Sequence, residues 1–171
     1  MVGSQVMLVE VLRGSTLESL HTGSVAVSDS SGKIVFQAGD PFTVAFWRSA
    51  MKPLQAMAFA ESGALEAYGL GEEALALACG SHEGEARHLE VVDRMLKAGG
   101  LSTADYRCGA HPPRTPDHEA LLSKGQRPDP RHNNCSGKHA GMLLATKRKD
   151  LPLPTYLDPS HPHQARIREL A

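Results

Sequence analysis

Apolar positions change their period once along this chain. Residues 6–11 are mostly apolar and partly β-branched, ending before Arg13-Gly14, which predicts a strand. Residues 23–28 alternate small or apolar with polar side chains; Asp29, Ser30, Ser31 and Gly32 supply turn chemistry, and residues 33–36 return. The opening therefore predicts an antiparallel hairpin, extended to a three-stranded meander if the first strand joins it. Asp40-Pro41 breaks this pattern. Beyond Ser49, Leu54, Met57, Ala58, Glu61 and Leu65 recur at three- and four-residue spacing, predicting a helix that Gly63 or Gly69 ends. Residues 72–78 predict a second helix. In residues 85–98, Leu89, Val92, Met95 and Leu96 share one face and Gly99-Gly100 stops the run.

Residues 106–131 contain Pro112, Pro113, Pro116, Pro128 and Pro130 and predict a loop with one short helix at 117–123. Helical character returns at 135–147 and ends in Lys147, Arg148 and Lys149, cations suited to a helix C-terminus. Residues 151–154 read as extended, and 164–171 begin another helix. Strands first and helices after predict an α+β fold rather than alternating βαβ units. A lone hairpin needs more strands or a helix against it, so the pattern reads as part of a larger unit.

The chain's 171 residues suffice for one domain with a core. Lys plus Arg (18) nearly balances Asp plus Glu (19), so the net charge of −1 gives no pull toward nucleic acid or an acidic membrane. The first ten residues lack a cationic, apolar leader, and no apolar run is long enough to span a bilayer. Three cysteines, Cys79, Cys108 and Cys135, without CxxC spacing fit a reducing compartment, and a cytoplasmic location is expected.

Three stretches could carry chemistry. In Arg48-Ser49-Ala50-Met51-Lys52-Pro53, Ser49 and Lys52 fall three apart, on one face of a helix. A serine hydroxyl needs a base, and a lysine serves as one when burial or a neighbouring cation such as Arg48 favours its neutral amine. Pro53 belongs in a first helical turn, which puts Ser49 at the helix mouth near free backbone N–H groups. The alternative is an N-cap serine and a solvated lysine. The second stretch, Cys79-Gly80-Ser81-His82-Glu83-Gly84-Glu85, flanks a Ser-His-Glu group with glycines. Ser81 is either a second site hydroxyl or, with Gly84, a cap of the next helix. The third, running from His132 through Asn133, Asn134, Cys135 and Lys138 to Gly141, crowds polar groups at a helix start. Asparagines both donate and accept, as recognition of a carboxamide requires. Asn134 is alternatively a cap, and Cys135 a buried, inert thiol. Arg48, His82, Asn133 and Asn134 are the substrate-binding candidates. The remaining histidines, His21, His88, His111, His118, His161 and His163, show no ligand spacing and are expected at the surface or in loops.

Together these blocks, 48–53, 79–85 and 133–142, resemble the rhizobial-type L-asparaginase II family in type and order. The resemblance implies a fold like the serine β-lactamases and glutaminases, and hydrolysis of L-asparagine to aspartate and ammonia. It implies two serine-lysine pairs, one on Ser49 and Lys52, the other using Ser81 with a lysine far downstream. It also implies a zinc site whose ligands match Cys135 and Lys138, completed by a downstream cysteine, and admits a homodimer. Family members are longer, and neither the downstream lysine nor the cysteine has a counterpart before Ala171, so residues 1–171 read as the N-terminal part of a single, C-terminally truncated domain. The rival readings are a serine hydrolase acting on glutamine or a β-lactam, and a non-catalytic half-domain that pairs with a partner chain.

Overall fold

A computed structural model describes residues 4–112 and 117–171; Pro113 and Pro116, and the side chain of His118, lie outside the described set. The chain divides into two compact units, residues 1–46 and 47–171.

The first unit is two antiparallel hairpins. Strand β1 (Val6–Arg13) pairs with β2 (Thr16–Gly23) across a two-residue turn, with register irregularities after Met7 and Val11. Strand β3 (Val25–Ser28) pairs with β4 (Ile34–Ala38). The expected second hairpin forms, but the first strand does not join it as a meander: it pairs with β2 in a separate two-stranded sheet. The sequence of β2, Thr-Leu-Glu-Ser-Leu-His-Thr-Gly, carries little β-branched or alternating signal, and pairing with β1 rather than propensity makes it a strand. Asp29 organises the β3–β4 turn, its carboxylate accepting from the Ser31 and Lys33 backbone N–H groups and from the Ser31 hydroxyl.

The second unit is helical. A 3₁₀ turn (Arg48–Met51) leads into α1 (Lys52–Glu61), followed by α2 (Ala64–Ala67), α3 (Glu72–Cys79), α4 (Ala86–Ala98), α5 (Asp117–Ser123), α6 (Ser136–Arg148) and α7 (Pro162–Leu170). Architecture and order are α+β, as the periodicity predicts. Helix α6 is the axis of this unit: every residue from Ser136 to Thr146 except Lys138 is buried. Helices α1, α3 and α4 pack around it. Its glycines set the spacing. A Cβ at Gly137 would lie 2.7 Å from the Leu77 carbonyl oxygen, and one at Gly141 would lie 3.0 Å from the Phe59 ring. Only hydrogen at these positions lets α3 and α1 approach so closely. Val92 and Met95 of α4 are fully buried, and Leu96 nearly so, as the predicted apolar face requires.

Residues 153–155 form a 3₁₀ turn rather than an extended segment, and it seats the buried Tyr156. The Tyr156 hydroxyl accepts from Arg107 N–H at 3.1 Å and lies 2.7 Å from His139 Nδ1. His161 and His163 depart from the surface placement expected of them. Both are buried at the start of α7, where His161 Nδ1 accepts from His163 N–H and caps the helix.

Candidate active site

Lys52 opens α1 with helical backbone angles although proline follows it. The preference against that conformation is overridden because Pro53 sits in the first turn, where a missing N–H costs nothing. The lysine side chain turns inward and is only 2% exposed. Its Nζ donates to the Gly80 carbonyl at 3.0 Å and reaches Ser81 Oγ at 2.6 Å. The lysine thus engages the hydroxyl of the second stretch, 29 residues away. Ser49 stands on the exposed 3₁₀ turn, where its carbonyl accepts from the Lys52 backbone N–H; among the described residues no side-chain hydrogen bond joins its hydroxyl to the Lys52 amine.

Ser49 caps nothing: Met51 is the N-cap of α1, without a side-chain bond. Arg48, immediately before it, holds a φ of 46°, in the left-handed region that side chains avoid. A strained residue beside a candidate nucleophile is a feature of reactive turns. Ser81 is not a cap either. Helix α4 is capped by Glu85 in a reciprocal box with His88. Ser81 is exposed and, with Gly80, His82, Arg87, His88 and Arg94, lines a cavity of about 590 Å³ between α3 and α4.

His82 is 4% exposed, and both ring nitrogens are engaged. Nδ1 accepts from Gly84 N–H at 3.1 Å, and Nε2 lies 2.8 Å from Ser136 Oγ. Gly84 reaches that donor position with a φ of 77°, which its lack of a Cβ permits. Burial, reinforced by His88, Lys52 and His132 nearby, lowers the His82 pKa to about 4 and keeps the ring neutral. The His82 ring is thus held by the scaffold at both nitrogens, and the residue also lines the cavity beside Ser81. Asn133 is similar: Oδ1 accepts from Cys135 N–H at 2.9 Å and Nδ2 donates to Gly109 O at 2.8 Å. Asn134 offers its backbone carbonyl to His82 N–H at 3.1 Å, tying the third stretch to the second.

Cys135 and Lys138 lie at the head of α6. Burial lowers the Lys138 pKa; Cys135 pulls it upward and Lys52 pushes it down further. The shift favours the lone pair that coordination or base catalysis needs. Burial pushes the nearby Cys108 thiol up to about 11. Among the described residues no three His, Cys, Asp or Glu side chains gather as a metal site. A tetrahedral zinc would need donors beyond Cys135 and Lys138.

Sequence reasoning missed Ser136 and Tyr106. Ser136 is fully buried, its Oγ donating to Arg131 O at 2.7 Å, while the buried Tyr106 hydroxyl donates to Ser136 O at 3.0 Å. A serine beside a more reactive-looking cysteine carries no periodic signal of such a role.

The three stretches thus converge on one region of a helical unit, with a buried lysine on a serine hydroxyl at its centre. The family model for L-asparaginase II matches residues 9–171, and the chain belongs to that family. An asparaginase-type, amide-hydrolysing function follows from that membership. No curated protein matches the chain. Among the described residues no helix is long and apolar enough to cross a membrane.

Proposed function

We propose that the protein is an L-asparaginase that hydrolyses L-asparagine to L-aspartate and ammonia through an acyl-enzyme. Lys52 is the base, Ser49 the nucleophile and Ser81 the relay between Lys52 and the reacting groups. The observation that carries this reading is the 2.6 Å contact from buried Lys52 to Ser81. Lys52 Nζ receives the Ser81 proton as Ser81 takes that of Ser49. Ser49 attacks the carboxamide carbon, backbone N–H groups of the 3₁₀ turn hold the oxyanion, and the proton passes back to the leaving ammonia. Water then releases aspartate by the reverse relay. His82, Asn133 and Asn134 are the candidates for holding the substrate carboxamide, with Arg48 for a carboxylate. Zinc, when bound, would be held by Cys135 and Lys138 together with a further donor and would supply a positive charge there.

The same contact favours one second reading, in which Ser81 itself attacks. The two are separated by trapping the acyl-enzyme with a slowly hydrolysed asparagine analogue and locating the modified peptide by mass spectrometry. Modification at Ser49 supports the first reading, and modification at Ser81 the second. Ammonia release from asparagine, set against release from glutamine and opening of a chromogenic β-lactam, tests the substrate. A chain that processes the β-lactam and not asparagine would overturn the assignment.

A further inference from the structure

His82, Ser136, Gly84 and Arg131 determine one another's proton positions. Gly84 N–H points at His82 Nδ1 at 3.1 Å, so Nδ1 presents a lone pair. The single proton of the neutral ring therefore sits on Nε2, which faces Ser136 Oγ at 2.8 Å. The Ser136 hydroxyl hydrogen is directed to Arg131 O at 2.7 Å, leaving its oxygen to accept from the ring. Every donor in this chain has one acceptor, and reversing either end leaves two donors or two acceptors face to face. The ring is also held through its backbone, His82 N–H donating to Asn134 O at 3.1 Å. The residue before His82 is Ser81, and the Gly80 carbonyl before that accepts from Lys52 Nζ. The groups facing the ring are His88, tilted at 32° with 5.1 Å between ring centres, together with Lys52 and His132.

We infer that Ser136 is a positioning residue: its hydroxyl, anchored on the Arg131 carbonyl, fixes His82 as the Nε2–H tautomer, and His82 so fixed holds the Gly80–Ser81 segment against Lys52. The role in turnover rests on the proposed asparaginase reading; the tautomer does not. Ser136 touches no substrate and acts only through His82. Its complete burial and the backbone anchor of its own hydroxyl make it the fixed end of the chain.

The test uses the full chain with ¹⁵N-labelled histidine. Long-range proton–nitrogen correlations distinguish the two neutral tautomers, and the His82 signals are assigned by their loss in His82→Gln. The wild-type ring is expected as the Nε2–H form. In Ser136→Ala that population falls as the ring shifts or flips, while Ser136→Cys, which keeps an acceptor of similar size, restores it in part. In an active preparation, Ser136→Ala lowers kcat about tenfold with KM changed less than twofold. A wild-type Nδ1–H ring, or an Nε2–H ring unmoved in a folded Ser136→Ala, would overturn the inference. Should Ser136→Ala fail to fold, the wild-type tautomer and Ser136→Cys still decide it. Absence of asparaginase activity with the expected tautomer pattern would count against the functional reading and leave the positioning intact.

Discussion

Lys52 holds two acceptors, Gly80 O and Ser81 Oγ, in a position almost closed to water. Replacing it with methionine keeps the buried stem and removes the amine. Ser81 is exposed and regains a water partner, so Lys52→Met is expected to change the unfolding free energy by less than about 1 kcal/mol. Turnover is expected to fall by about 100-fold or more, the range of a lost acid-base step. Urea denaturation and an ammonia assay on the same preparation check both halves; a stable variant with near-wild-type turnover removes Lys52 from the mechanism. Arg48 permits a second comparison at this scale. Its φ of 46° suits glycine and is hostile to β-branched side chains. Arg48→Val should be less stable than Arg48→Gly by about 1–2 kcal/mol in urea denaturation. Equal stabilities would mean that the turn relaxes freely.

Helices in this chain were more legible than the contacts between them. Helix α4 announces itself through Val92, Met95 and Leu96, and the structure buries that stripe. Strand β2 was not legible because its pattern is polar and its partner supplies the reason for it. At the site, Ser49 and Lys52 suggested a local pair by spacing, whereas the lysine reaches Ser81 from another element. A three-residue interval specifies a shared helix face; it does not specify the direction of a long, flexible side chain within a packed unit. The buried Ser136–His82 contact, 54 residues apart, has no signature in either period. The glycines of α6 show the same limit. In sequence they resemble part of a polar motif, yet Gly137 serves packing against Leu77. Gly137→Ala would set a methyl group against backbone atoms that cannot yield cheaply. It should lower stability by about 1–3 kcal/mol despite alanine's better helix propensity. Thermal melting of the variant decides this, and a raised Tm would show that α3 can slide away from α6.

Across the molecule the buried histidines make stability depend on acidity. His82, His139 and His163 are each lowered to about 4 by burial, with His88, Lys52 and His132 adding to it for the first, Lys138 and Lys52 for the second, and His161 for the third. In the unfolded chain such groups take up protons near pH 6.5. Between about pH 6.5 and 4 the unfolded state therefore binds more protons than the folded one. The stability these groups provide is complete above pH 6.5 and is lost as pH falls through that interval. Each histidine contributes a slope of up to about 1.4 kcal/mol per pH unit, so three together can remove most of a small domain's stability near pH 5. His163 is the cleanest to remove, because its Nε2 is buried without a partner among the described residues. His163→Phe is expected to unfold with a pH slope shallower by about a third, one of three protons, without a comparable loss of stability at pH 7. Urea denaturation at half-unit steps from pH 7 to pH 4.5 measures both slopes. Parallel slopes for wild type and variant would place the acid sensitivity in other groups.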